Sequence, residues 1–195
     1  MEEREIKLAA AGPREVRALL RRLGWRVQRR RHRESNIVYD RPGSDWLTSG
    51  RLLRLREGGG LCRLTVKLPA ESGSRHKVRR EYEVEASDSR ELGRILCAFG
   101  FVPCWRYEKF RTCFQKPGEP GEIVYDETPV GDYLELEGPS RWIDRTARLL
   151  GFGLRDYITA SYRDLFAAHV EGKKNASADM LFGRRGMRRT PRPSR

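Results

Sequence analysis

Apolar and polar residues alternate along much of the chain, and this period of two residues predicts a protein built mainly from β-strands. The strands are expected at residues 1–8, 25–40, 52–56, 61–68, 77–86, 102–115, 122–127 and 132–138. Other stretches have the spacing of amphipathic helices; they are residues 13–23, 88–99, 140–150 and 156–170. Because helices and strands with one apolar side must bury that side against each other, the pattern predicts an antiparallel α+β arrangement.

The polar faces of the predicted strands are strongly ionised. In the first strand Glu3, Glu5 and Lys7 fall on one side, and Ile6 and Leu8 on the other. Carboxylates dominate this strand, the fifth and the eighth, whereas Arg and Lys dominate the third, fourth and sixth. Two carboxylates one strand period apart repel each other unless a cation lies between them, and Mg²⁺ suits such oxygen-rich sites. The ionised face either lies on an open sheet in solvent or lines a wet barrel that holds metal and polyanion.

Length and charge indicate one basic domain and a basic tail. The chain has 195 residues, enough for a domain with a sizeable core, and a net charge of +13. Residues 171–195 contain eight Lys or Arg and two acidic residues, a net +6, which leaves +7 on residues 1–170. We therefore expect a globular domain over 1–170 and a disordered tail over 171–195 that binds polyanions weakly. The run Arg29–Arg33 is either a solvated strand end or a second polyanion site.

Cysteine spacing and hydropathy narrow the functional classes. The four cysteines show no C-x-x-C spacing, which argues against a zinc site and indicates a reducing compartment. No apolar run approaches the ~20 residues of a membrane span. The glycines at 58–60 lack the lysine and following helix of a P-loop. We expect a cytoplasmic protein without membrane association, whose oligomeric state is left open with a dimer as one option.

Short motifs recur in a fixed order along the chain. They are Glu3-x-Glu5-x-Lys7, Asn36-Ile-Val-Tyr39-Asp40, Leu53-Arg54-Leu55-Arg56, Leu64-Thr65-Val66-Lys67, Arg79-x-Glu81-x-Glu83, Lys109-x-Arg111, Asp126 and Glu135-x-Glu137. Each motif is weak alone, but the ordered set resembles the CYTH superfamily of triphosphate tunnel metalloenzymes, which includes class IV adenylate cyclases and thiamine triphosphatases. The resemblance covers residues 1–165 and implies an eight-stranded antiparallel β-barrel around a tunnel, with helices packed outside.

The resemblance also implies roles for the ionised residues. Acidic residues would hold Mg²⁺ or Mn²⁺, first Glu3, Glu5, Glu135 and Glu137, with Glu81, Glu83 and Asp126 in support. Basic residues would bind phosphate oxygens, namely Arg54, Arg56, Lys67, Arg79, Lys109 and Arg111. Lys7 and Lys67 are assigned catalytic roles, with Lys7 between the carboxylates and the phosphates.

The implied function is metal-dependent chemistry on a triphosphate such as tripolyphosphate or ATP. Hydrolysis, in which water attacks the terminal phosphorus, stands first because the named residues suffice for it. Cyclic AMP formation by a class IV adenylate cyclase is the alternative, and Ala160-Ser161-Tyr162 resembles the cyclase-type members. Ile158 stands where animal thiamine triphosphatases usually have a basic residue, which argues against that substrate. A non-enzymatic polyphosphate- or nucleic-acid-binding module is the third hypothesis, although the acidic strands disfavour it.

Overall fold

Eight strands close into one antiparallel barrel in a computed structural model of the chain, which describes residues 2–44, 46–71, 73–173 and 177–183. The strands are β1 (Glu2–Ala9), β2 (Arg26–Asp40), β3 (Leu52–Gly58), β4 (Leu61–Lys67), β5 (Lys77–Ala86), β6 (Val102–Gln115), β7 (Glu122–Thr128) and β8 (Gly131–Glu137). Their order around the barrel is β1-β5-β4-β3-β2-β6-β7-β8, and β8 pairs back onto β1. The predicted eight-stranded antiparallel barrel is confirmed, and the open-sheet alternative is wrong.

Helices cover the outside of the barrel and bury its apolar face. They are α1 (Pro13–Arg22), α2 (Ser89–Ala98), α3 (Ser140–Leu149) and α4 (Tyr162–Val170), with a short 3₁₀ turn at Leu154–Asp156. Leu20 of α1 and Ile143 of α3 share one core with Ile6 and Leu136, while Leu96 of α2 belongs to a second core over β3. This burial leaves the ionised strand faces turned inward. None of the described helices is long and apolar enough to cross a membrane.

The last helix begins six residues later than the sequence pattern predicts. A helix from Asp156 is expected, but Ile158 instead pairs with Lys7 through two backbone hydrogen bonds of 2.9 Å. Ser161 then caps α4, since its hydroxyl accepts from the Asp164 N–H at 3.2 Å and the Asp164 carboxylate accepts from the Ser161 N–H at 2.8 Å. Pairing with β1 thus outweighs helical periodicity in this segment.

Part of the expected tail is folded. Met180 is fully buried and forms a parallel bridge with Tyr107. Its carbonyl accepts from the Glu108 N–H at 2.9 Å, and its N–H donates to the Arg106 carbonyl at 3.0 Å. Disorder is predicted from residue 171, and that prediction is wrong for residues 177–183 because the buried methionine anchors them to β6. The remainder of the predicted tail, beyond residue 183, lies outside the described residues.

Candidate functional site

The barrel encloses two adjoining cavities with ionised walls. The inner cavity measures about 100 Å³, and its lining includes the first turn of α4. The outer cavity measures about 840 Å³ and opens towards the start of β2. Glu3, Arg56, Arg111 and Glu137 line both cavities, which together form one tunnel.

Alternation along the strands brings nearly all predicted site residues to this tunnel. Asp126 is the exception among them, because it is fully buried and lines neither cavity. The inner cavity is lined by Glu3, Glu5, Lys7, Arg54, Arg56, Lys67, Arg79, Lys109, Arg111, Glu135 and Glu137, and the outer cavity also by Glu81 and Glu83.

Two lysines lie between the predicted metal-binding carboxylates. The Lys7 ammonium is 3.2 Å from Glu5 and 3.4 Å from Glu135. Burial alone would lower the pKa of Lys7, but these two carboxylates raise it above its ordinary value. Burial likewise would raise the pKa of Glu5, yet the charges of Lys7, Lys67 and Lys77 lower the pKa of Glu5 to about 2. Lys7 and Glu5 are therefore held as ions.

The second lysine makes a similar bridge. Lys67 is 2.5 Å from Glu3 and 2.9 Å from Glu81. Burial raises the pKa of Glu3, with further increases from Glu5 and Glu81 and an opposing decrease from Lys67. The positive charge of Lys67 thus only partly offsets the negative charges of Glu3, Glu5 and Glu81.

Glu137 is the least compensated carboxylate of this wall. It lies directly opposite Glu5 across the β1–β8 ladder, and it forms no ion pair with any described residue. Burial, followed by the charges of Glu3, Glu5 and Glu135, raises the pKa of Glu137 to about 7 against an opposing decrease from Lys67. Like charges placed opposite each other on a ladder destabilise it, so an added cation would be favoured here.

The donor chemistry of this wall fits a hard divalent cation, although the side chains are not arranged as a finished metal site. No three acidic, His or Cys side chains among the described residues converge closely enough to hold a metal ion. Glu3, Glu5 and Glu137 nevertheless supply oxygen atoms, the ligands that Mg²⁺ and Mn²⁺ prefer. The raised pKa of Glu137 indicates that the carboxylates around it are not balanced by the nearby lysines.

Asp126 does not join that acidic wall. Its Oδ1 accepts a hydrogen bond from Arg111, and its Oδ2 accepts from Lys109, Arg111 and the Tyr162 hydroxyl at 2.6 to 2.8 Å. Because both oxygens are occupied and the residue is fully buried, Asp126 positions basic residues. The role of Asp126 as a supporting metal ligand stays a prediction, and in this structure its oxygens bind Lys109, Arg111 and Tyr162.

The basic wall has hydrogen-bond donors to spare. The Nε atoms of Arg54, Arg56 and Arg63 are buried and have no hydrogen-bond partner among the described residues. Burial and the adjacent Arg54 lower the pKa of Arg56, which shows that positive charges crowd this side. Buried donors without partners are costly, and a phosphate group would satisfy them while reducing the repulsion.

Arg79 makes structural hydrogen bonds in addition to lining the inner cavity. Its guanidinium donates to the backbone carbonyl of Leu68 at 2.7 Å and to that of Gly50. These bonds join the two loops at the edge of the inner cavity. Arg79 also lines the inner cavity, where phosphate binding stays a prediction for it.

Sequence reasoning missed several tunnel residues. Glu34 is buried opposite the basic wall, 3.4 Å from Arg56 and 3.6 Å from Lys109. Burial would raise its pKa, but Arg111 and Lys109 hold the pKa of Glu34 well below its ordinary value. The signal was available, since Glu34 precedes the Asn36 motif by one strand period. Lys77, one period before Arg79, also lines the inner cavity.

Tyr162 is a buried residue in the lining of the inner cavity. Its ring centroid is 5.1 Å from the Lys7 ammonium and 5.0 Å from that of Lys109, within the range of cation–π contacts. Its hydroxyl donates to Asp126 at 2.8 Å. The side chain therefore separates the innermost charges from solvent.

Comparisons with known proteins show which family and which solved structures the chain is similar to. The model of the CYTH domain matches residues 1–145. A candidate adenylate cyclase from Vibrio parahaemolyticus has a TM-score of 0.73 at 21% identity, covering 85% of this chain and 97% of its own. A Pyrococcus horikoshii protein has a TM-score of 0.70 at 24% identity, covering 85% and 98%. A candidate adenylyl cyclase from Hippeastrum, described as having a dominant triphosphatase activity, has a TM-score of 0.62 at 20% identity, covering 86% and 96%. No curated protein matches the chain.

Proposed function

The chain belongs to the CYTH domain family, and from this premise we propose that it is a divalent-metal-dependent enzyme that hydrolyses triphosphates. The observation that supports this most directly is a closed tunnel with two unlike walls. One wall has buried arginine donors without partners, and the other has the uncompensated carboxylate of Glu137. The oxygens of a triphosphate would accept hydrogen bonds from the arginines, and its cation would bind the carboxylate.

The basic wall would bind and orient the substrate. Arg54 and Arg56 on β3 present planar guanidinium groups to phosphate oxygens, and Lys109 with Arg111 on β6 completes the cationic side. Asp126 holds the last two in place through its hydrogen bonds. This preorganisation lowers the cost of aligning a flexible, highly charged molecule.

The acidic wall would hold the cation through Glu3, Glu5 and Glu137. When bound, Mg²⁺ or Mn²⁺ would neutralise charge on the phosphate oxygens and make a water molecule more acidic. Lys7 is fixed by Glu5 and Glu135 beside this wall, where it can contact phosphate oxygens as a point charge. Lys67 would do the same from β4, while Tyr162 limits the entry of water at the inner end.

Hydrolysis fits the shape of the tunnel better than cyclisation. The inner cavity of about 100 Å³ has ionised walls, which suits phosphate groups. A nucleoside would have to lie in the outer cavity, whose lining includes Arg29, Arg63, Glu81 and Glu83. Selection of a base requires an apolar slot with a few directed polar groups, and a mainly charged lining does not provide one.

The test is to incubate the full chain with tripolyphosphate or ATP and either Mg²⁺ or Mn²⁺, and to separate the products. Orthophosphate should be released without cyclic nucleotide, and EDTA should abolish the release. Arg56→Ala should raise KM about 10- to 100-fold, the usual worth of a charged hydrogen bond. Arg90→Ala, an exposed arginine on α2, is the matched control and should leave KM unchanged.

Three results would contradict parts of this proposal. Cyclic AMP with pyrophosphate from ATP would identify a cyclase. Full turnover in EDTA would exclude the metal dependence. An unchanged KM in Arg56→Ala would remove the basic wall from substrate binding.

A further inference from the structure

A tyrosine lies among the cations of the inner cavity. Tyr107 is on β6, one strand period before Lys109 and two before Arg111, and all three side chains line the cavity. Tyr107 is buried, with 5% of its surface exposed. Because it carries no formal charge, any contact that it makes with a ligand has to come from its ring or from its hydroxyl group.

The hydroxyl group of Tyr107 accepts a hydrogen bond and keeps its own proton available. Arg54 Nη1 donates to Tyr107 Oη at 3.3 Å, and this bond spans β2, the strand between β3 and β6. No described residue accepts a hydrogen bond from the Tyr107 hydroxyl. A phenol can donate as well as accept, and a buried donor without an acceptor is costly.

Other buried tyrosines of the described chain donate their hydroxyl protons to carboxylates. Tyr162 in the same cavity donates to Asp126 at 2.8 Å, and Tyr125 outside it donates to Asp132 at 2.5 Å. Tyr107 has an arginine where these two have an acid. Its proton therefore requires an acceptor that the described residues do not supply.

The charges that act on Tyr107 favour an anionic acceptor. Burial would raise the pKa of its phenol, but the positive charges of Arg54, Lys109 and Arg56 lower this pKa below its ordinary value. A donor bond from a guanidinium to the phenol oxygen also polarises the O–H group and makes it a better donor. An oxygen of a phosphate group is the acceptor that suits such surroundings.

Packing fixes the position of the Tyr107 ring. It stacks on the Trp105 ring, with centroids 4.7 Å apart and 21° between the planes. On β2 the uncharged Asn36 lies opposite, and its Nδ2 donates to the Tyr107 carbonyl at 3.5 Å. The Tyr162 ring of α4 lies 6.5 Å away, and Met180 pairs with the Tyr107 backbone. A donor that is held in place before the ligand arrives loses little freedom on binding.

We propose that Tyr107 donates a hydrogen bond to an oxygen of the phosphate group that Arg54 binds, so that the two side chains act as one paired donor. The inference rests on the proposed binding of a triphosphate in the tunnel, and it adds a binding residue that none of the sequence motifs contains. Arg54 supplies the positive charge and holds the phenol oxygen. Tyr107 supplies a neutral donor, which adds no repulsion to a wall where positive charges already crowd.

Tyr107→Phe in the full chain tests the inference, because Phe keeps the ring and removes the hydroxyl. A hydrogen bond to a charged group is worth a factor of about 10 to 100, so KM for tripolyphosphate with Mg²⁺ should rise by about that factor. Tyr125→Phe is the matched control, since Tyr125 is also buried and hydrogen-bonded but lines neither cavity. The control should lower the melting temperature and leave KM unchanged.

The pH profile separates hydrogen-bond donation from packing of the ring. Ionisation of the phenol removes the donor and adds a negative charge. In the wild type, kcat/KM should therefore fall at alkaline pH, starting below the ordinary tyrosine pKa of about 10 because the surrounding cations lower the pKa of Tyr107. The profile of Tyr107→Phe should lack this contribution, although its ring packs as before.

A double-mutant cycle tests whether Arg54 and Tyr107 act together. Arg54→Lys keeps the charge but removes the guanidinium that holds the phenol oxygen. Since either change breaks the paired donor, the two combined should raise KM by less than the product of their separate effects. Independent effects that multiply in full would show that the two side chains do not act as one unit.

The outcomes that would overturn the inference differ from those that would refute hydrolysis. An unchanged KM in Tyr107→Phe, an equal rise in Tyr125→Phe, or identical pH profiles would overturn it. If the wild type releases no orthophosphate, hydrolysis is refuted, and calorimetry of tripolyphosphate binding in Mg²⁺ then tests Tyr107 by itself. A Kd raised about 10- to 100-fold in Tyr107→Phe supports the contact, whereas an unchanged Kd, or no binding by the wild type, refutes it.

Discussion

Replacing Glu137 by Gln should stabilise the metal-free protein at neutral pH. Glu137 is half-buried opposite Glu5 and has no ion-pair partner among the described residues, and its pKa is raised to about 7. Folding at neutral pH therefore forces a negative charge into a site that already contains carboxylates. Gln keeps the size of the side chain and removes the charge.

The magnitude follows from the pKa. A shift from 4.5 to about 7 corresponds to at most about 3 kcal/mol, since one pKa unit is worth about 1.36 kcal/mol. Between these two values the folded state binds more protons than the unfolded state, so the stability of the wild type falls as pH rises through this window. Below the window both states are protonated and the difference disappears; above it the full penalty applies.

The assay is urea unfolding of both proteins in EDTA at several pH values from about 4 to 8. The free energy of unfolding of Glu137→Gln minus that of the wild type should rise by up to about 3 kcal/mol across the window. At pH 8 this corresponds to a melting temperature about 6 to 12 °C higher for the variant. Mg²⁺ should reduce the difference, because a cation at the acidic wall stabilises the ionised form of Glu137.

Glu71→Gln provides the control, because Glu71 is exposed and forms no ion pair with a described residue. Its effect should be small and nearly independent of pH. If Glu137→Gln and Glu71→Gln give the same flat difference, or if Glu137→Gln destabilises the protein at pH 8, the assignment of Glu137 as an uncompensated buried charge is refuted.

Two further substitutions probe the paired charges and the C-terminal segment. Asp126→Asn should destabilise the protein by about 3 to 5 kcal/mol in the same urea assay, because Lys109 and Arg111 lose the carboxylate that compensates them. A stabilising effect would contradict the assignment of Asp126 as their positioning partner. Met180→Ala should cost about 2 to 5 kcal/mol as a cavity forms in a fully buried position, whereas Leu181→Ala at a half-exposed position should cost far less, and equal effects would show that the segment does not pack as described.

The elements of the fold could be predicted from the sequence because side-chain alternation is a local property. The bounds of β5 and β6 follow from the pattern alone, and Asp88 caps α2 as its position before the helix suggests. The same alternation separates Glu3, Glu5 and Lys7 from the apolar face of β1 without any knowledge of the partner strands. Inward-facing site residues are therefore largely predictable.

The pairing of charges could not be predicted, because it depends on the register between strands remote in sequence. Only the closed barrel places Lys67 beside Glu3 and sets Glu137, which has no ion pair with a described residue, opposite Glu5. Asp126 has the same carboxylate chemistry as Glu137, yet the tertiary contacts hold it among basic side chains.

The C-terminal segment and the start of α4 depend on tertiary structure in the same way. Met180 lies in a basic, polar stretch whose composition indicates disorder, but it fills a position beside Tyr107 that no local pattern reveals. Ile158 leaves a helical pattern to pair with Lys7. In both cases contacts over long sequence separation outweigh weak local preferences. The sequence by itself thus determined which residues face the tunnel, whereas the tertiary structure decided which of their charges are compensated and which are available to a ligand.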